Sequence, residues 1–361
     1  MVVESIDLQN YRNYDLLNME LDQRTNIIYG DNAQGKTNIL EALYVCATTK
    51  SHRGSKDREI IRFENEESHI KVVVKKHDID YRIDMHLKKN KAKGVAVNGI
   101  PIHKASELFG IMNIVFFSPE DLNIIKNGPS ERRRFIDLEL SQLDKIYVHN
   151  LIQYNRTLVQ RNKLLKDLSF NFHNLDTLDI WDMQLSNFGR HVIEQRRVFI
   201  EQLNGIIYDI HRRLSGDKEN LTIRYIPSVE EETFADALAK SRERDLKFKL
   251  TSYGPHKDDM EFYINDVDVR KYGSQGQQRT AALSLKLAEI ELVKKVIQDK
   301  PILLLDDVLS ELDSNRQNFL LDSIGDIQTI VTCTGLDEFI HNRFAMNKIF
   351  KVNSGIVENM N

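Results

Sequence analysis

Alternating apolar and polar positions over Val2–Leu8 and Leu16–Leu21 predict two strands, separated by the turn-rich run Gln9-Asn10-Tyr11-Arg12-Asn13. Thr25–Tyr29 is a short apolar run that stops at Gly30, the pattern of a buried strand. Ile39, Leu40, Leu43, Tyr44 and Ala47 then recur at helical spacing. His69–Lys76 and Tyr81–Leu87 predict a hairpin, Asn98-Gly99 a further turn, and Asn113–Phe117 an apolar strand. From Pro119 the period changes. Pro119-Glu120-Asp121 has the residues of a helix start, and 119 to about 215 predicts helices with almost no glycine. Leu151, Leu158 and Leu165 repeat every seventh position, as do Ile152 and Val159, which favours a helical hairpin over an extended rod. Strands are expected again at Leu221–Ile226, Phe248–Tyr253 and Met260–Ile264, with a charged helix over 229–245. Gln275–Val296 predicts a long amphipathic helix. Ile302-Leu-Leu-Leu-Asp306 predicts a central parallel strand, and Thr329–Thr334 its neighbour.

The simplest organisation is one α/β lobe made from both ends of the chain, with a helical lobe inserted. Its segments are 1–117, 118–245 and 246–361. In 361 residues, 41% are hydrophobic, enough for a sizeable core. Only Cys46 and Cys333 are present, so a disulfide framework and a four-cysteine zinc site are excluded. No apolar run approaches the roughly 20 residues that span a bilayer, and the acidic start MVVESIDLQN shows no targeting pattern. The expectation is a cytoplasmic protein with no membrane partner. The net charge of −4 removes global basicity, so any nucleic-acid contact must rest on a local patch.

Gly30-Asp31-Asn32-Ala33-Gln34-Gly35-Lys36-Thr37 fits the phosphate-loop pattern, with a strand before it and a helix after it. The glycines let the backbone N–H groups turn onto phosphate oxygens, Lys36 reaches the terminal phosphates, and the Thr37 hydroxyl joins a Mg²⁺ shell. Such a loop needs an acidic strand end. Asp306 is the candidate metal ligand, and Asp307 the candidate base that polarises water. Ser274-Gln-Gly276-Gln277 opens the long helix and is a candidate second anion site. Two anion sites far apart in sequence imply that a second copy of the chain completes one nucleotide pocket. Ser310-Glu-Leu-Asp313 is a polar loop on the same strand edge.

These motifs, together with Leu8-Gln-Asn-Tyr-Arg-Asn-Tyr14, Lys50-Ser-His-Arg53, Phe117-Ser-Pro-Glu-Asp-Leu122, Glu131-Arg-Arg-Arg-Phe-Ile-Asp137, Gly254-Pro-His-Lys-Asp-Asp259 and Asp306-Asp-Val-Leu-Ser-Glu-Leu-Asp313, resemble the ATP-binding-cassette heads of chromosome-maintenance and double-strand-break-repair ATPases. The resemblance is greater to the RecF family of bacterial recombination mediators and covers nearly the whole chain. It implies a phosphate-loop NTPase of the ABC type with an inserted helical lobe and no long coiled coil, since only short helices fit between Thr37 and Ser274. It also implies ATP and Mg²⁺ as cofactors, an ATP-dependent homodimer that clamps DNA near single-strand/double-strand junctions, and weak DNA-stimulated hydrolysis that times release. The implied roles are recombinase loading and SOS induction, with RecR and RecO as partners. By the same resemblance, Arg12, Asn13 and Arg53 touch nucleotide or phosphate. The departures are Asp307 where most cassette ATPases have Glu, a second anion motif without the Leu-Ser-Gly-Gly-Gln form, and no switch histidine in Thr332-Cys333-Thr334. Thr332 or Thr334 is the candidate γ-phosphate contact. A transporter's nucleotide-binding subunit and a phosphate-loop small-molecule kinase remain alternatives.

For DNA, residues 71–104 hold nine Lys/Arg against three Asp. Lys88, Lys89, Lys91 and Lys93 lie at a predicted hairpin tip. Arg132, Arg133 and Arg134, with Arg196 and Arg197, are expected to add basic faces. Clusters of this kind contact backbone phosphates with little base specificity.

Overall fold

The computed structural model describes residues 1–168, 176–325, 327–335 and 347–360. The chain divides into two units, one of Met1–Asp121 with Glu289–Asn361, the other of Leu122–Ala288. The second division thus falls at 288/289 rather than at 245/246. The first falls at 121/122.

The first unit begins with an antiparallel sheet. Strands β1 (Val2–Tyr11) and β2 (Tyr14–Glu20) form a hairpin, and β3 (Thr25–Tyr29) leaves for a different sheet. After α1 (Lys36–Thr48) come β4 (Glu67–Lys76), β5 (Ile79–Lys88), β6 (Lys91–Val97) and β7 (Ile100–Ile102), giving the order β2-β1-β4-β5-β6-β7. One face is apolar. Ile70, Val72 and Val74 of β4 and Ile83, Met85 and Leu87 of β5 are buried, and the residues between them point outward. Strand β8 (Ile114–Phe117), buried at all four positions, completes this stretch.

The second unit is built around α2 (Pro129–Leu143), α3 (Lys145–Leu168) and α4 (Asp176–Ser215). Pro at the first turn of α2 fits the rule for helix starts. The 40-residue α4 is longer than the sequence pattern implied. It packs along α3, so the hairpin reading describes the pair. The leucine heptad is only part of the seam, through buried Leu165 and partly buried Leu158. Tyr154, Thr157, Arg161 and Leu165 are the buried stripe of α3, while Val159 is 64% exposed. Strand β9 (Leu221–Ile226) then pairs with β10 (Asp259–Ile264), which turns into β11 (Val267–Asp268).

Two expectations fail between β9 and β10. The charged segment is two helices, α5 (Phe234–Lys240) and α6 (Arg242–Phe248), joined at Ser241. Phe248–Tyr253 is not a strand. Lys249 takes a left-handed φ of 58° that ends α6, and side chains satisfy the backbone beyond it. Thr251 N–H donates to Asn162 Oδ1, Ser252 N–H to Asp245 Oδ1, and Gly254 N–H to Ser228 Oγ.

Helix α7 (Gln275–Ile297) contains the second division. Beyond it, β12 (Ile302–Asp306), α8 (Ser314–Ile324), β13 (Thr329–Cys333), β14 (Lys348–Asn353) and β15 (Ile356–Asn359) return to the first unit. Its second sheet has the order β15-β14-β3-β13-β12-β8, parallel except at the β15 edge. Strands β12 and β13 are buried throughout, as expected for a parallel sheet covered on both faces. No described helix is long and apolar enough to cross a membrane.

Candidate nucleotide site

The parallel order β3-β13-β12 carries the C-terminal ends of three neighbouring strands to one edge. In open α/β sheets that edge forms the ligand crevice. The loop after β3 runs from Gly30 to α1. Gly30 has φ 152° and Gly35 φ 114°, and a Cβ on Gly30 would come within 2.3 Å of the Val352 carbonyl oxygen. A Cβ on Gly35 would press on the Asn13 amide and the Tyr14 hydroxyl. Side chains at these two positions would push the loop off its neighbours. Asp31, Asn32 and Ala33 are exposed at the crown, and Ala33 is itself left-handed at φ 64°.

Lys36 is 4% exposed, and its ammonium donates to the carbonyls of Gly30 (2.7 Å) and Asp31 (2.9 Å). The side chain therefore arches back over its own loop. The Thr37 hydroxyl donates to Asp306 Oδ1 at 2.8 Å, and the Thr332 hydroxyl donates to the same oxygen at 2.8 Å. Asp306 and Thr332 are register partners across β12 and β13, so strand pairing dictates this meeting. Burial raises the Asp306 carboxyl above its usual range, and Asp307 adds to the rise; the two hydroxyls oppose it. Asp307 sits just outside, left-handed at φ 53°, with its N–H on Thr332 Oγ1 at 3.1 Å. A hydroxyl and a buried carboxylate at this spacing are the hard oxygen donors that Mg²⁺ prefers.

Thr332 is thus a buried brace between Asp306 and Asp307, which corrects its expected place at a γ-phosphate. Thr334 is exposed.

Arg12 also differs from expectation. It donates to both oxygens of buried Glu41 at 2.7 Å, to the Glu59 carbonyl at 2.8 Å and to Ser55 Oγ at 2.9 Å. Most of its donors are therefore committed. Burial alone would raise the Glu41 carboxyl, but hydrogen bonds from Arg12 and Ser51 outweigh it and hold it below the usual range. Glu41 and Ser55 carried no motif that marked them, while Ser51 lies inside Lys50-Ser-His-Arg53 without a role assigned to it. A buried acid within the apolar period of α1 was the available signal. Asn13 Nδ2 donates to the Gln34 carbonyl at 2.8 Å, and its Oδ1 accepts from Asn38 at 2.8 Å. Asn13 therefore buttresses the loop. Arg53 Nη1 donates to Asn38 Oδ1 at 3.2 Å and is otherwise exposed. Arg12, Asn13, Asn38, Arg53 and Phe63 help line an open cavity of about 890 Å³. The Ser354 N–H donates to Gln34 Oε1 at 2.5 Å, a contact from the C-terminal hairpin that no sequence motif announced.

In the second unit, Ser274 and Gln277 cap α7 reciprocally. Gln277 N–H donates to Ser274 Oγ at 3.2 Å and Ser274 N–H to Gln277 Oε1 at 2.9 Å. Gln277 Nε2 also donates to Glu219 at 2.9 Å. Ser274 and Gly276 are exposed.

The basic residues divide sharply. The Lys88–Lys91 turn is a hairpin tip, but acids outside the basic stretch neutralise much of it. Lys88 pairs with Glu67 (3.4 Å), Lys89 with Glu66 (3.0 Å) and Lys93 with Asp57 (3.0 Å). Lys91 is exposed and has no acidic partner among the described residues. Arg132 is 2% exposed and forks onto Asp259 at 2.6 and 3.0 Å, so it offers no face to DNA. Arg133 donates to the Asp258 carbonyl, and Arg134 is exposed. Arg196 is equally buried, on Asp137 and Asp258, and Arg197 pairs with Glu230 and Glu231. The expectation of basic faces at Arg132 and Arg196 is therefore wrong: each guanidinium is consumed by internal carboxylates.

A family model described as the RecF/RecN/SMC N terminal domain matches residues 2–358. The protein named "DNA replication and repair protein RecF" of Lachnospira eligens is 68% identical over 363 residues, covering 100% of both chains. The chain belongs to the RecF family. The RecF of Agathobacter rectalis is 65% identical, covering 99% of each chain. Among solved structures, one described as the recombination mediator protein RecF-ATP in the RecFOR pathway superposes with a TM-score of 0.94 at 37% identity, over 100% of this chain and 98% of that one. The Smc head of Pyrococcus furiosus shares the fold with a TM-score of 0.58 at 15% identity, over 99% and 96%. The fold is therefore that of an ABC-type phosphate-loop ATPase head, as the RecF resemblance implied.

Proposed function

We propose that this RecF-family chain is an ATP-dependent DNA-binding protein of recombinational repair and replication restart. ATP binds the Gly30–Thr37 loop, whose N–H groups and Lys36 take the phosphates. Arg53, free on the cavity side, adds a further cation, and Asn13 holds the loop in shape. Thr37 and Asp306 are the residues that would hold Mg²⁺, which supplies charge neutralisation at the terminal phosphates. Asp307 orients the attacking water. Its side chain is shorter than the usual Glu, so turnover is slow. Ser274, Gly276 and Gln277 of a second copy close on the γ-phosphate, so two ATP molecules bridge a homodimer that holds duplex DNA near a junction. DNA-stimulated hydrolysis releases the clamp. Loading of recombinase and work with RecR and RecO are supported by the recombination-mediator and RecFOR-pathway description of a neighbour, and SOS induction rests on the family resemblance alone.

The observation that carries the reading is the single Asp306 oxygen that accepts from both Thr37 and Thr332. It ties the phosphate loop, the acidic strand end and the intervening strand into one polar cluster. The test is sedimentation velocity with ATP and Mg²⁺. Wild type should shift from monomer to dimer with ATP and not with ADP. Ser274→Arg should bind nucleotide yet stay monomeric; a variant that assembles like wild type overturns the shared site. Size unchanged by ATP in wild type would overturn the ATP-bridged homodimer.

A further inference from the structure

On the outward face of the first unit's antiparallel sheet, the register sets His69 of β4 directly opposite His86 of β5. The rings stack with centroids 3.8 Å apart and planes 25° apart. Glu67, two residues before His69 on the same face, reaches diagonally so that its Oε2 lies 3.0 Å from His86 Nε2. Among the described residues, Glu67, His69 and His86 form a group whose ligand atoms all lie within 4.8 Å of one another. The nucleotide site does not use them. No motif in the sequence marked them, because two of the three donors are on one strand and the third is brought in only by pairing.

We propose that Glu67, His69 and His86 form a binding site for a borderline transition-metal cation of the Zn²⁺ class. The donor set is two imidazole nitrogens and one carboxylate oxygen, the combination of ligands that Zn²⁺ accepts while leaving a fourth position to water. Metal–ligand distances of about 2.0–2.2 Å require the three atoms to draw together. All three side chains stand on the solvent face, where rotamer changes displace no core atoms. Opposite His86, β6 presents Gly94, so no side chain crowds the ring from that strand. His69 also lines an open groove of about 450 Å³ with Asp7, Gln9 and Asp84, which gives the ion a solvent route. The surrounding charges are mixed: Lys71 is held by Asp7 at 3.0 Å, and Lys88 lies 3.4 Å from the Glu67 carboxylate. Lys88 is the competitor, since the ion must take the oxygen that it now shares. A metal here cross-links β4 to β5 close to the Lys89-Asn90 turn.

The experiment is calorimetric titration of the full, untagged chain with Zn²⁺ alone, without nucleotide, together with Co²⁺ absorption spectra. Wild type should bind one ion, and Co²⁺ should give the visible bands of a nitrogen-containing low-symmetry site. His69→Ala and His86→Ala, both on the surface, should each weaken that ion about tenfold or more. Lys88→Ala should tighten it. Zn²⁺ should raise the melting temperature of wild type and not of the double histidine variant. Equal Zn²⁺ affinity in wild type and the folded double variant would overturn the site, as would no binding at all.

Discussion

Two regions of this molecule use charged side chains in opposite ways. At the phosphate loop, Arg53 is exposed toward an open cavity, and backbone amides, hydroxyls and the buried carboxylates of Glu41 and Asp306 gather around the Gly30–Thr37 turn. In the second unit, Arg132, Arg161 and Arg196 are nearly or fully buried and each is paired with an internal carboxylate. Arg161 meets Asp182 at 2.6 Å, Asp245 at 2.7 Å and Thr251 at 2.9 Å. Arg196 meets Asp137, Asp258 and the Pro255 carbonyl, and Tyr225 donates to the same Asp258. The first region keeps an exposed guanidinium at Arg53, while the second pairs its cations within its own chain. Arginine identity alone does not tell an exposed guanidinium from a spent one; an opposing carboxylate does, and Glu41 takes Arg12 of the first region in the same way.

The largest expected effect follows directly. Arg196→Ala leaves buried Asp258 and half-buried Asp137 without their cation and should cost about 3–5 kcal/mol, read by urea unfolding. Lys36→Ala should remove nucleotide binding with little loss of stability. If the two variants unfold alike, the contrast between the regions is false.

Acid should act next, and again on the second unit. Burial holds the His256 imidazole down to about 4, against the help of its hydrogen bond to the Thr251 carbonyl. Its other nitrogen pairs with the Tyr154 hydroxyl at 2.6 Å. Since the folded value lies below the unfolded one of about 6.5, the stabilisation is full above about pH 6.5. It is lost as pH falls through about 4. The loss should reach about 3 kcal/mol, and His256→Gln should flatten that acid limb of the stability profile.

Asp306 reverses the sign. Its folded value is raised, so ionisation costs the fold, and stability declines as pH climbs from the unfolded carboxylate range through the folded value. Asp306→Asn should therefore melt slightly higher than wild type at neutral pH. The same variant should lose hydrolysis by about 10²-fold or more. A variant that both melts lower and hydrolyses normally would remove Asp306 from the proposed site.

What the sequence revealed tracks how local the physics is. The Gly30–Thr37 loop, strand β3 and the acid at Asp306 are dictated by short runs, and all were legible. The Thr37–Asp306 bond spans 269 positions, yet the motif pair implied it. The buried arginines could not be read, because their carboxylates come from other elements. Asp259 lies 127 positions from Arg132. Phe248–Tyr253 had an apolar rhythm but no strand to pair with, and its backbone is instead satisfied by side chains. The basic stretch from 71 to 104 misled for the same reason. Its neutralising acids, Asp7, Asp57, Glu66 and Glu67, lie outside that window.

The smallest effect tests the comparison most finely, because it asks the same question of two cations expected to touch DNA. Lys91 stands exposed at the hairpin tip with no described acidic partner, and a flexible ammonium there is free to displace a counterion from a phosphate. Arg132 is already neutralised by Asp259. Removing one phosphate contact should reduce the slope of log affinity against log salt by about one. Lys91→Ala should do so in duplex binding with ATP present, without changing thermal stability. Arg132→Lys keeps a charge and is the gentler probe of the buried site. It should lower stability through loss of the forked bond and leave the salt slope unchanged. If the Arg132 variant flattens the slope and the Lys91 variant does not, the guanidinium reaches DNA after all, and the division between inward-spent and outward-facing charge must be redrawn.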